Sequence, residues 1–202
     1  MLTKIESDNV ADIEVPSGFI VFCDMDGTLV NTDYANYLSY KFAVIEATCG
    51  KHDVEFSVER LNRESLEKRL PSLSVAQCEV IAALKAVYFN QFISETKLNT
   101  GLANLITNYS VTNKTILVTC CREKRAVETL RHHKMLERFT RLICWEALSQ
   151  GASSNKYENA LSLMGVRPEA VLVFENDIAD IESAVHAGVP RNNIISVFPR
   201  LE

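Results

Sequence analysis

The sequence predicts an α/β fold: a parallel sheet covered by helices on both faces and interrupted by an all-helical insertion. Two patterns predict it. Short apolar runs rich in β-branched and aromatic residues alternate with helical patterns along most of the chain, and strand–helix–strand alternation leads to parallel pairing. One stretch, from about Asp33 to Lys97, carries helical signals alone.

In chain order, residues 1–15 offer no clear element and read as a partly ordered tail. Gly18-Phe-Ile-Val-Phe-Cys23 has the length and composition of a buried strand and ends abruptly at Asp24. Similar runs follow at Thr115–Thr119, Leu142–Cys144, Val171–Phe174 and Ile194–Val197. Helical patterns separate them at Lys124–His132, Tyr157–Met164 and Ile178–Ala187, the last stopped by Gly188. Within the insertion Tyr34, Tyr37, Leu38 and Lys41 begin one helix, and Ser57–Leu70 forms a second that Pro71 ends. Ser74-Val-Ala-Gln77 is a capping box for a third, running to about Glu95. The expected organisation is therefore a core of residues 1–32 and 99–202, with residues 33–98 inserted. No internal repeat or low-complexity segment breaks this reading.

The 202 residues suffice for one domain with an insertion, large enough to fold without disulfides or structural metals. Apolar residues make up 47% and charged ones 23%, which excludes a disordered chain. A net charge of −5 disfavours a nucleic-acid binder or a membrane-surface polycation. It leaves room for an anionic substrate, since one local positive site can oppose the global sign. No apolar run is long enough to span a bilayer, and the polar N-terminus lacks a signal-peptide core. Six cysteines lie scattered through hydrophobic stretches without C-x-x-C spacing, as expected of reduced, mostly buried thiols in a cytoplasmic protein. A monomer or weak homodimer is expected.

Ligands of open parallel sheets sit beyond the carboxyl ends of the strands. The polar residues there are Asp24 and Asp26, Thr119, and Glu175-Asn176-Asp177, and Lys156 stands alone before a helix. Asp24 and Asp26 are two apart, so an extended chain would point both carboxylates the same way. Such a pair calls for a counter-charge, and a hard divalent ion with oxygen ligands, usually magnesium beside phosphates, supplies one. Gly27 permits a tight turn and lets backbone amides approach an anion.

Asp24-Met-Asp-Gly-Thr-Leu-Val30 resembles the first motif of the haloacid dehalogenase superfamily, D-x-D-G-T with apolar flanks. Ile116-Leu-Val-Thr119 resembles the second motif, Lys156 fits the third, and Asp180-Ile-Glu-Ser-Ala-Val-His-Ala-Gly188 follows the family's D-I-x-A-A-x-A-A-G run. The resemblance covers about residues 18–198 and implies a Rossmann-like core, with the insertion where subfamily I members carry a helical C1 cap. It also implies magnesium-dependent hydrolysis of a small-molecule phosphate monoester through an aspartyl-phosphate. In that scheme Asp24 is the nucleophile and a metal ligand. Asp26 is the acid and then the base, and a further metal ligand. Thr119, with Cys120 beside it, binds the phosphoryl oxygens, and Lys156 neutralises charge on nucleophile and phosphoryl group. A phosphomutase of the β-phosphoglucomutase type and a weakened binding scaffold are the alternatives. A dehalogenase fits less well, because a departing halide has no use for an acid at Asp26.

Two positions depart from the family pattern. Where its fourth motif places an Asp, this chain has Asn176, flanked by Glu175 and Asp177. Asn176 or Asp177 is expected at the metal, with Glu175, or Asp180 through water, as further options. Tyr157 stands where many capped members have Pro and is expected to alter the stiffness of the loop without touching the chemistry. In the insertion, Arg60, Arg63, Lys68 and Arg69 alternate with Glu59, Glu64 and Glu67, the pattern of a solvated, ion-paired helix. Tyr34, Tyr37 and Tyr40 suit a pocket or a core equally. His132, His133 and His186 lack metal-ligand spacing and are expected to be structural.

Overall fold

The structure, a computed structural model of the chain, describes residues 4–6, 13, 18–57 and 60–198. Two compact units divide it, one formed by Met1–Asn31 with Leu98–Glu202 and the other by Thr32–Lys97. The strands are β1 (Lys4–Glu6), β2 (Ile20–Cys23), β3 (Val30–Asn31), β4 (Lys97–Leu98), β5 (Thr115–Val118), β6 (Arg141–Ile143), β7 (Val171–Glu175) and β8 (Ile194–Phe198). Helices α1 (Asp33–Ala47), α2 (Arg63–Arg69) and α3 (Val75–Gln91) belong to the second unit. The first holds α4 (Thr100–Tyr109), α5 (Glu123–His132), α6 (Trp145–Leu148), α7 (Lys156–Met164) and α8 (Ile178–His186).

Six strands of the first unit form one sheet in the order β1-β8-β7-β2-β5-β6, every pair parallel. The predicted α/β class with a parallel sheet is what the structure shows. From β2 the chain builds outward through β5 and β6, then crosses to β7 and β8 on the other side. The switch point, where an open α/β sheet offers a crevice, therefore lies at the carboxyl ends of β5, β2 and β7.

Alternation along each strand feeds two cores. Val21, Cys23, Leu117, Leu172 and Phe174 pack with Leu102 and Ile106 of α4 and Ala126 and Leu130 of α5. Phe22, Ile116, Val118, Val171 and Val173 point the other way, onto Tyr157, Ala160 and Leu161 of α7 and Ile181 and Ala184 of α8. Both faces being covered explains why these strands read as unbroken apolar runs.

Two expectations about elements need correction, and one helix is added. Residues 4–6 are not featureless: they pair with Ser196–Phe198 and extend the sheet by a strand, a pairing with a partner some 190 residues away that local pattern cannot report. The helix α4, unannounced in the sequence reading, is opened by Asn99, whose side chain accepts from the Leu102 amide. Of the helix expected over Ser57–Leu70, residues 58 and 59 lie outside the described residues, and the described part is helical over Arg63–Arg69, where Asn62 and Ser65 form a reciprocal capping box that fixes the start. The capping box at Ser74 and Gln77 is present as read.

The second unit has a core of its own, in which Ala43, Val44, Val54, Leu61, Leu66 and Ile81 are buried. Tyr37 and Tyr40 pack against it, while Tyr34 is exposed and meets Tyr37 and Phe56 ring to ring. Arg63–Glu67 and Lys68–Glu64 form the expected i,i+4 pairs, and Arg60 binds Asp33. All six cysteines are free; Cys49 and Cys120 are exposed and the other four are buried. Among the described residues no helix is long and apolar enough to cross a membrane.

Candidate active site

Sheet hydrogen bonding continues one residue beyond two of the central strands and fixes the side chains that follow them. The Asp24 amide donates to Phe174 O at 3.0 Å, and the Thr119 amide donates to Ile143 O at 3.0 Å. Asp24 thus stands, nearly buried, between the ends of β5 and β7. The loop after it turns at once: Gly27 has φ +85° and donates to Val30 O at 2.8 Å. A Cβ at Gly27 would lie 2.5 Å from the Asn176 side-chain nitrogen, so glycine is needed here both for its backbone angle and for the close approach of Asn176.

Lys156, the first residue of α7, has its ammonium in contact with three carboxylates. They are Asp24 Oδ1 at 3.1 Å, Glu175 Oε2 at 2.7 Å and Asp180 Oδ2 at 2.6 Å. A helix start disfavours a cation by its dipole, and burial disfavours it further; these carboxylates outweigh both and keep Lys156 charged well beyond its usual range. Burial pushes the Asp24 carboxyl up to about 8, against the pull of Lys156. Asp26 has a different cation: its carboxylate pairs with Arg125 of α5, whose Nε also donates to Cys121 Sγ at 2.9 Å. The turn at Met25–Gly27 therefore separates what an extended chain would have aligned, and the two aspartates meet different partners.

The Thr28 hydroxyl lies 2.9 Å from Asn176 Oδ1 and 3.3 Å from Asp24 Oδ2. One hydroxyl proton cannot satisfy both acceptors. Two hard oxygens thus converge with acceptor capacity to spare, which is the chemistry a magnesium ion requires. Among the described residues no group of three or more His, Cys, Asp or Glu is placed to hold a metal.

Asp24, Lys156, Asn176 and Thr28 are brought together around one point. Thr119 is buried at the end of β5, with its hydroxyl accepting from the Cys121 amide at 3.2 Å, and Cys120 next to it is exposed. Asp177 Oδ1 caps α8, accepting from Ala179 N at 2.8 Å and Asp180 N at 3.2 Å. Glu175 is fully buried, holding Lys156 through one oxygen and the amides of Asn176 and Asp177 through the other, at 2.9 and 3.1 Å.

Sequence reasoning passed over Arg125 and read Tyr157 only as a change in loop stiffness. Arg125 gave a faint signal, a cation in the first turn of the helix after Thr119. Tyr157 does more than stiffen a loop: it is fully buried and its hydroxyl donates to Glu175 Oε2 at 2.6 Å. Burial first, and then the nearby carboxylates, keep this phenol protonated well above its usual range, against the opposing Lys156 charge. Of the histidines considered above, His132 and His133 meet edge to face, and His186 Nδ1 lies 2.8 Å from Glu182 O.

A parallel α/β sheet with a buried carboxylate–lysine pair at its switch point defines a class of enzyme whose catalytic groups follow the strand ends. Residues 20–194 match the family model of haloacid dehalogenase-like hydrolases. The chain belongs to this family and is a hydrolase of that type. Solved structures with the same fold include CbbY from Rhodobacter sphaeroides in complex with phosphate (20% identity, covering 90% of this chain and 86% of that one, TM-score 0.68). Another is β-phosphoglucomutase from Clostridium difficile (19% identity, 90% and 83% covered, TM-score 0.64). A third is a predicted phosphoglycolate phosphatase from Haemophilus somnus (15% identity, 87% and 84% covered, TM-score 0.66). A search of curated proteins by sequence finds no match. Enzymes of this superfamily generally use magnesium.

Proposed function

We propose that this chain is a magnesium-dependent phosphatase that hydrolyses a small-molecule phosphate monoester through an aspartyl-phosphate on Asp24. The observation that carries the reading is the Lys156–Asp24 pair at 3.1 Å, seated at the switch point beside Thr28 and Asn176. The predicted phosphatase and the phosphomutase among the neighbours, and the phosphate bound to a third, support it.

In this reading Asp24 attacks phosphorus, forming an O–P bond as the ester oxygen leaves. Lys156 holds the nucleophile in place and neutralises charge as the phosphoryl group arrives. Thr119 and the amide of Cys120 orient the phosphoryl oxygens. Asp26 gives a proton to the departing alkoxide and later takes one from the water that cleaves the acyl-phosphate. For that, its carboxylate has to exchange its Arg125 contact for substrate. Asp24, the main-chain carbonyl of Asp26 and Asn176 would hold magnesium, which supplies electrophilic stabilisation of the transferring group. The unit Thr32–Lys97 is proposed as the cap that selects substrate.

The test is turnover of para-nitrophenyl phosphate and a panel of sugar and small acid phosphates, with and without magnesium. Magnesium-dependent release of phosphate is expected. Silence across the panel with a folded protein overturns the reading in favour of a binding scaffold. Transfer of label from substrate to a second hydroxyl rather than to water turns it into a phosphomutase.

A further inference from the structure

A carboxylate offers about four acceptor positions, and in Glu175 all four are occupied. Oε2 takes the Lys156 ammonium at 2.7 Å and the Tyr157 hydroxyl at 2.6 Å; Oε1 takes the amides of Asn176 at 2.9 Å and Asp177 at 3.1 Å. The Glu175 side chain is 1% exposed, so no water completes or replaces this set cheaply. A cation could reach it only by displacing one of these donors. Glu175 is thus turned away from metal binding and toward Lys156.

Tyr157 is itself rigidly held. It follows Lys156 directly at the start of α7, and its amide donates to Asn155 Oδ1 at 2.9 Å. The Asn155 side chain in turn donates to Ser183 O of α8 at 2.6 Å. The ring lies with its centroid 5.2 Å from Lys156 Nζ, while the hydroxyl reaches past it to Glu175. One side chain therefore touches both members of the ion pair.

We propose that Tyr157 is a positioning residue: its hydroxyl locks Glu175 as the counter-ion of Lys156, which keeps the ammonium on Asp24 and leaves the metal to Asp24, Asp26 and Asn176. A proline at this position has no hydroxyl to do so. The kinetic part of the test rests on the phosphoryl-transfer reading above.

Tyr157→Phe keeps the ring and its contact with Lys156 and removes the hydroxyl alone. With saturating magnesium, kcat on para-nitrophenyl phosphate is expected to fall about tenfold, the usual scale for a lost hydrogen bond to a charged group. KM should stay within about twofold, because the contact acts on the nucleophile's setting and not on substrate binding. In a Glu175→Gln background the same substitution should cost less than about twofold, since a residue acting through Glu175 loses its effect when Glu175 is altered. Magnesium binding, measured by titration calorimetry without substrate, should weaken no more than about threefold in Glu175→Gln, well short of the loss of a direct charged ligand. Unchanged kcat in Tyr157→Phe, equal losses in both backgrounds, or magnesium affinity lost more than about tenfold in Glu175→Gln would each overturn the inference. Wild-type protein that neither binds magnesium nor turns over phosphate esters overturns the functional reading itself, and this inference with it.

Discussion

At the scale of single residues, the site is a set of charges that each require a partner. Asp24→Asn keeps the shape but removes the nucleophile; Lys156 retains Glu175 and Asp180, so the protein should fold. Turnover is expected to drop by at least about a thousandfold in a steady-state assay, and retained turnover in folded protein would sink the covalent scheme. Asn176→Asp adds a carboxylate beside Asp24 with Thr28 between them. Charges about 4 Å apart interact by roughly 4 kcal/mol at an effective dielectric near 20, before desolvation is subtracted. The variant should therefore melt earlier in chelator and bind magnesium about tenfold more tightly, as titration calorimetry would show. Gly27→Ala meets both a positive φ and the Asn176 side chain; a loss of about 1–3 kcal/mol in denaturant unfolding is expected.

At the scale of elements, helix ends decide which acidic residues are available. The strand β7 ends in Glu175, turns through Asn176, and starts α8 under the Asp177 cap. That order leaves Asn176 facing Thr28 and uses the Asp177 oxygen on amides. Asp177→Ala should accordingly cost about 1 kcal/mol of stability, the common value of an N-cap, with the midpoint of magnesium activation shifted less than about twofold. Asp177→Asn should keep the cap, since Asn caps as well as Asp. A magnesium midpoint raised more than about tenfold in both variants would make Asp177 the metal ligand and Asn176 a bystander.

At the scale of the whole molecule, two units each carry a core, and the whole proposed chemistry rests on residues of one of them. Ligation of the site should then stabilise that unit by mass action. Magnesium with beryllofluoride, a phosphoryl mimic, at about 100 times its dissociation constant contributes about 2.7 kcal/mol. The expected observation is a rise in the melting temperature in calorimetry, with slower amide exchange in Ile20–Cys23 and Val171–Glu175, the strands that present Asp24 and Glu175. Asp24→Asn should abolish the shift. A shift that persists in that variant would place the mimic elsewhere.

What the sequence determined by itself was the periodicity and the order of the strand ends. Unbroken apolar runs such as Ile20–Cys23 and Val171–Phe174 read as doubly covered parallel strands because nothing polar survives in a strand buried on both faces. Acidic residues directly after such runs fall at the edge of a parallel sheet, so Asp24, Asp26 and the 175–177 cluster stood out without coordinates. Partners distant in sequence were invisible to periodicity. Lys156, 132 residues from Asp24, was set against it by the family resemblance alone, and Arg125, 99 residues from Asp26, was passed over; both pairings depend on strand order, which periodicity does not encode. The pairing of residues 4–6 with β8 was hidden for the same reason. Only the tertiary structure decided that Glu175 serves Lys156, that Asp177 serves a helix, and that Tyr157 holds the first of these. Each competing carboxylate is equal in the sequence, and the choice is made by which donors the fold brings within hydrogen-bond reach.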